Sequence, residues 1–234
     1  TEWPDQGDIG SCVGQDGAIN MEVQYTLLQA ISEKYITYIE EDLSAGWLYH
    51  WSRHYANVPD YMEGSTNLGL MKALLKKGAA SEATAPTDNV SPWDPPAITL
   101  EAEASAALHK ISSYWNINPN PNDIKATIFN RGPGGQPTTI ISAYKVFMSY
   151  KDAYIDGIVP VPQPGERFLG GHSSALIGWC VIDGKEYWIN FNSWGTDVGG
   201  GDDVLGTDYG IDKGLFFIPF DYGAFFNNDF WLIY

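Results

Sequence analysis

The 234-residue chain has only two cysteines, Cys12 and Cys180, and only four histidines. Two cysteines cannot supply the several bridges of a small disulfide-stapled scaffold, and they leave the redox compartment open. Basic residues are scarce as well: 13 Lys and Arg stand against 29 Asp and Glu, a net charge of −16. A surface this acidic repels phosphate backbones and anionic headgroups, which argues against nucleic acid or a membrane as partner. No apolar run approaches the roughly 18 residues that a membrane-spanning helix needs. There is no internal repeat either. What is plentiful points elsewhere, since 44% of the residues are hydrophobic and 14% aromatic, with 9 Trp and 14 Tyr. Such a composition buries a core and excludes a disordered or fibrous chain. The length suits one sizeable domain or two small lobes. The first residue is Thr1 rather than Met, and removal of an upstream segment is the expectation drawn from it.

Helical patterning dominates residues 1–115. Ile19, Val23, Leu27 and Ile31 recur every four residues, which predicts a helix after Cys12 with one stripe against a core. Further helical patterns cover Ser32–Tyr55, Leu68–Lys77 (ended by Gly78) and Leu100–Ser113, and prolines make Ala85–Pro96 a loop. Asn116–Asn122, with Pro119 and Pro121, marks the expected boundary between a mainly helical part, 1–115, and a mainly β part, 116–234. Strands are expected at Ala126–Asn130, Thr138–Tyr144, Ser174–Ile182, Tyr187–Phe191 and Gly214–Phe220. The class is α+β.

The two cysteines differ in setting. Cys180 lies within an apolar stretch of strand length and reads as a small buried hydrophobe. Cys12 follows Gly10-Ser11 and opens a helix, where the macrodipole and the unpaired N–H groups favour thiolate over thiol. Simple packing of a small residue at a helix start is the competing reading. A nucleophilic thiolate needs a base, a group that orients the base, and donors for the oxyanion. His50 and His54 fall in the aromatic-rich stretch Trp47–Tyr55 and read as surface or core residues, while His109 reads as part of a solvated helix face. His172 follows Gly170-Gly171 at the expected mouth of an apolar strand. Asn192-Ser193-Trp194-Gly195 follows the next strand, and sequential strands usually lie side by side. Asn192 is thereby expected beside His172, its side-chain oxygen fixing the imidazole tautomer. Trp194 either shields that bond from water or belongs to the core.

Together, Asp5-Gln-Gly-Asp-Ile-Gly-Ser-Cys12, Gly170-Gly-His172 with Ala175–Trp179, and Asn192-Ser-Trp-Gly195 resemble the motifs of the papain-like cysteine peptidases, in the family's order. The spacing from Cys12 to His172, 172 − 12 = 160 residues, exceeds the ~130–150 of papain and cathepsins. Glu63–Gly78, Ser81-Glu82 and the aromatic endings Gly214–Tyr222 and Asn228–Trp231 resemble the disulfide-poor microbial branch. The resemblance implies a two-lobed fold, with a helical lobe bearing the nucleophile, an antiparallel barrel-like β lobe bearing the base, and a cleft between them. It implies an endopeptidase working through a thioester acyl-enzyme. Cys12 attacks, His172 carries the proton, Asn192 orients His172, and Gln6 with the Cys12 N–H holds the oxyanion. Gly69, Gly171, Ser173 and Trp194 are the residues expected to contact substrate. No metal or organic cofactor is implied. The implied partners are protein or peptide substrates and an inhibitory pro-segment, for a monomer with an extracytoplasmic location favoured. Acyl transfer to another acceptor (a transpeptidase, ligase or amidase) and a catalytically silent peptide-binding module remain as alternatives.

The chain departs from the family pattern at several points. Val13-Gly14-Gln15-Asp16 follows the cysteine where an aromatic is usual, Ile9 replaces a common cysteine, and Ser173-Ser174 follow the histidine. After Gly195 comes an extended loop bearing Asp197, Asp202, Asp203, Asp208 and Asp212. Its spacing matches no EF-hand, and a solvated acidic loop is expected rather than a Ca²⁺ site.

Overall fold

Short polar side chains decide where most helices begin. In the computed structural model, which describes residues 3–31 and 42–234, α1 spans Cys12–Ile31, α2 Ala45–Ala56, α3 Asn67–Lys76, α4 Leu100–Leu108, α5 Pro121–Asn130 and α6 Asp202–Leu205. Ser44, Thr66, Thr99 and Asn120 each accept a hydrogen bond from a backbone N–H of the first turn of α2, α3, α4 and α5, at 2.9–3.1 Å. Each satisfies a donor that the helix itself leaves unpaired. The strands are β1 Tyr114–Asn116, β2 Ile140–Phe147, β3 Phe168–Ile182, β4 Lys185–Phe191, β5 Leu215–Pro219 and β6 Phe226–Ile233. They form one sheet in the order β1-β6-β2-β3-β4-β5, with every neighbouring pair antiparallel.

One core lies among the helices, around Trp47, Leu48, Leu70, Met71 and Leu74, and takes in Ile141 and Ile233 from the sheet. A second, rich in aromatics, joins α5 to the sheet through Ile124, Ile128, Tyr144, Tyr150, Phe216 and Tyr222. Gly14 is where α1 meets α2: a Cβ there would stand 2.3 Å from the Ala45 carbonyl oxygen. Only glycine lets the two backbones approach so closely.

The α+β class is found, and several local expectations are corrected. Ala126–Asn130 is not a strand but the end of α5. The Asn120 cap and Pro121 in the first helical turn set a helix that β-branched Thr127 and Ile128 do not overturn. The helix expected to reach Ser113 stops at Leu108, which turns His109 inward; it is buried, and its Nδ1 lies 2.9 Å from the Ala79 carbonyl oxygen. Around α1 the core contacts come from Val13, Ala18 and Met21. Of the expected stripe, Ile19 is buried but faces, with half-buried Val23, a hollow beside Trp3 and Phe191. Residues 32–41 of the pattern Ser32–Tyr55 lie outside the described residues, and the helix that follows begins at Ala45. Finally, β3 starts at Phe168, so His172 sits within a strand rather than at its mouth.

Candidate active site

The Asp5-Gln6 segment pairs with the turn after β4. Asp5 and Trp194 form an antiparallel bridge, and the Gln6 N–H donates to the Ser193 carbonyl at 2.8 Å. The Ser193 hydroxyl donates to Gln6 Oε1 at 2.8 Å, while Gln6 Nε2 donates one hydrogen to the Ile9 carbonyl at 2.9 Å. The carboxamide is held at both ends, and its second N–H remains for the cleft that Gln6 and Cys12 both line. Cys12 is the first residue of α1, and the start of that helix packs against β3.

Antiparallel pairing of β3 with β4, Ala175 opposite Phe191, brings Asn192 beside His172. His172 Nε2 lies 2.7 Å from Asn192 Oδ1, and the same oxygen accepts from the Ser193 N–H at 2.9 Å. Because a backbone N–H can only donate, the atom facing it is an acceptor; His172 Nε2 therefore carries the hydrogen. Nδ1 is left as the free nitrogen. The Trp194 ring lies over the imidazole, with centroids 4.7 Å apart, and Tyr144 meets it edge-on at 5.7 Å. His172 is 5% exposed and Asn192 1%.

Burial governs the electrostatics. It pushes the Cys12 thiol up to about 11 and the His172 imidazolium down to about 4. Backbone N–H groups of Ser173 and Val13 pull the thiol back down, and the Asp16 carboxyl pushes it up. Each group alone is therefore held neutral. Were a proton to pass from the thiol to the imidazole, both charges would form together and their attraction would oppose the two burial penalties. A Cys12–His172 pair would then titrate as one unit.

A cleft of about 740 Å³ runs between these elements. Gln6, Gly10, Cys12 and residues 63–67 form one wall; Ala143, Tyr150, residues 169–173, Trp194 and Asp229 form the other. Cys12, His172, Gln6, Gly171, Ser173 and Trp194 thus share one cavity, with Asn192 behind His172. Gly69 does not line it. It packs on α2, where a Cβ would lie 2.4 Å from the Ser52 carbonyl oxygen. His50 and His54 lie on α2 against Trp51, away from the cleft. The sequence reading missed Asn67, Asp229 and Asp16. Only Asp16 left a signal, standing four residues after Cys12 and hence on the same helix face.

Cys180 lies on β3, half-buried, and both cysteines are free thiols. In the acidic loop, Asp202 accepts from the Thr207 hydroxyl and the Ile211 N–H, and Asp203 from the Gly201 N–H. These carboxylates close their own turn. Among the described residues no group of three His, Cys, Asp or Glu is arranged to hold a metal ion. No helix among them is long and apolar enough to cross a membrane.

Known proteins resemble this chain in sequence and in fold. A cathepsin B-like protease of Arabidopsis thaliana is 35% identical over 89 residues, which cover 36% of this chain and 20% of that protein. The chain thus matches only a minor part of that relative's length. Among solved structures, xylellain, a cysteine protease from Xylella fastidiosa, superposes with a TM-score of 0.76 at 20% identity, covering 100% of this chain and 82% of its own. A procathepsin B of Trypanosoma congolense does so at 0.68 and 16% identity, over 99% and 70%. These likenesses establish the two-lobed papain-like fold. The family model described as papain family cysteine protease matches residues 1–202. With most of its length matched by that model, the chain belongs to the papain family of cysteine proteases.

Proposed function

We propose that the protein is a cysteine endopeptidase. The observation that carries this reading is the sharing of one cleft by the helix-terminal Cys12 and an imidazole whose other nitrogen is engaged by Asn192. Residues 1–115 present the nucleophile and residues 116–234 the base. The Cys12 thiolate attacks the scissile carbonyl carbon; an S–C bond forms and the oxygen becomes an oxyanion, held by the free Gln6 N–H and the Cys12 N–H. The His172 imidazolium gives its proton to the leaving amine as the C–N bond breaks, leaving a thioester. Water then attacks the thioester with His172 as base. The S–C bond breaks, the new carboxylic acid leaves and gives its proton to solvent, and the pair regains its one-proton state. Asn192 holds the ring throughout and carries no proton.

Extended peptides lying along Gly171, Ser173 and Trp194 are the proposed substrates. An inhibitory pro-segment occupying the same cleft, a monomeric state and an extracytoplasmic location complete the reading. Gln6→Ala should lower kcat on a fluorogenic peptide by about 10²–10³, the cost of one oxyanion donor, with far less change in KM. An unchanged kcat would remove Gln6 from the mechanism. Peptide-library profiling tests the reaction class: hydrolysis releases internal fragments ending in free carboxylates. Products joined to an added amine acceptor in preference to water would favour the transpeptidase or amidase reading, and binding without any product the silent module.

A further inference from the structure

Residues 3–6 lie along the turn 192–195, and each of them is joined to it. Asp5 bridges Trp194, the Gly195 N–H donates to the Pro4 carbonyl at 3.0 Å, and the Gln6 N–H donates to the Ser193 carbonyl. Trp3 adds a bond from its side chain, for its indole N–H donates to the Asn192 carbonyl oxygen at 3.1 Å. The indole stacks on Phe191, with centroids 4.1 Å apart and planes 10° apart. Its slot exists because residue 214 is glycine. A Cβ there would stand 2.2 Å from a Trp3 ring carbon, and the backbone φ of +104° is one that side chains rarely adopt.

The Asn192 carboxamide is anchored at its oxygen alone. That oxygen accepts from the Ser193 N–H and faces His172 Nε2, while Nδ2 has no hydrogen-bond partner among the described residues. The direction of Oδ1 is therefore set largely by where the Asn192 main chain sits. That main chain is gripped on both sides: its N–H donates to the Gly214 carbonyl at 3.2 Å, and its carbonyl accepts from Trp3. We infer that Trp3 is a positioning residue for the base: its indole N–H fixes the Asn192 main chain and, through Asn192, the imidazole of His172. This rests on the reading of His172 as the base. Trp3 does not line the cleft, so it acts on the reaction through Asn192 and not by touching substrate. A misplacement of about 1 Å far from the reacting atoms can cost about 10²-fold in rate.

The test compares wild type with Trp3→Phe and Trp3→Ala by peptide kinetics and by the NMR signal of the His172 Nε2 proton. Phenylalanine keeps a ring for Phe191 and removes the N–H; alanine removes both. Trp3→Phe should lower kcat about tenfold and Trp3→Ala about 10²-fold, each with KM within about twofold of wild type, because the cleft walls are untouched. In both variants the His172 Nε2 proton should exchange with solvent at least about tenfold faster, its bond to Asn192 having loosened. Wild-type kcat in Trp3→Phe would overturn the inference, since the ring would then pack without its N–H positioning anything. A lower kcat with unchanged exchange at His172 would overturn it too, because the effect would bypass Asn192. A measurement on the wild type needs no variant to fold. The Trp3 indole proton should exchange at least about tenfold more slowly than that of a free indole, and exchange at the free rate would also overturn the inference. Neither exchange readout requires peptide hydrolysis, so failure of the peptidase reading and failure of this one are distinguishable.

Discussion

Cys12→Ala should abolish peptide cleavage, with kcat falling by about 10⁶, the scale set by nucleophile deletion in a serine hydrolase. Alanine leaves the start of α1, the Gln6 donor and the His172–Asn192 hydrogen bond intact. What disappears is the only atom in the cleft able to form the acyl intermediate under the proposed mechanism. Cys180 cannot substitute for it. It lies further along β3 against the cluster around Tyr187, Leu215 and Phe217, and burial raises its thiol to about 11. The alanine variant should still bind peptide, since Gly171, Ser173 and Trp194 are untouched. Binding by fluorescence anisotropy beside turnover by peptide mapping separates the two effects, and cleavage by Cys12→Ala above a hundredth of the wild-type rate would refute the assignment.

The second large effect is expected in His172→Ala. Under the proposed mechanism the Cys12–His172 pair should keep one shared proton from about pH 4 upward, because burial disfavours imidazolium and pairing would favour the one-proton state further. Alkylation of Cys12 should therefore proceed well below the free-thiol value of about 8.5. Without the imidazole, the thiol faces the burial that raises it to about 11, with only the helix N-terminus and the Ser173 N–H in its favour. At pH 6 its alkylation should fall at least about 10²-fold and recover only in alkali. The same burial sets an acid limit on stability. The folded value for His172 lies below the unfolded one of 6.5, so its contribution is complete above 6.5 and is lost as pH falls towards 4. His172→Ala should lose less stability than wild type across that window in acid-unfolding curves. Equal alkylation of variant and wild type at pH 6 would mean that His172 is not the partner of Cys12.

Much of the site was legible because its chemistry is local in sequence. Cys12 at a helix start and His172 and Asn192 on consecutive antiparallel strands follow from short-range pattern and one strand pairing, while Gln6, six residues before the cysteine, comes from the family resemblance alone. The residues that escaped notice owe their place to long-range packing. Asn67 reaches the cleft because Thr66 caps α3 there, whereas Gly69, two residues on, is turned into the α2 contact. Asp229 enters through the pairing of β6 with β2, which no spacing announces. His109 reads as solvated if the helix runs to Ser113, and is buried because the helix ends at Leu108, five residues short of that. Residues 126–130 looked like a strand on β-branched content alone, and the cap at Asn120 carried the information that decided otherwise.

The central claim, that Cys12 is the single activated thiol of a peptide-binding cleft, is tested most directly by peptide-electrophile labelling. A peptide ending in a vinyl sulfone is incubated with the protein under reducing conditions at pH 6, and the adduct is mapped by tandem mass spectrometry. One adduct per chain, on Cys12, lost in His172→Ala and suppressed by excess unlabelled peptide, is the expected result. An adduct on Cys180, or none on either cysteine, would contradict it.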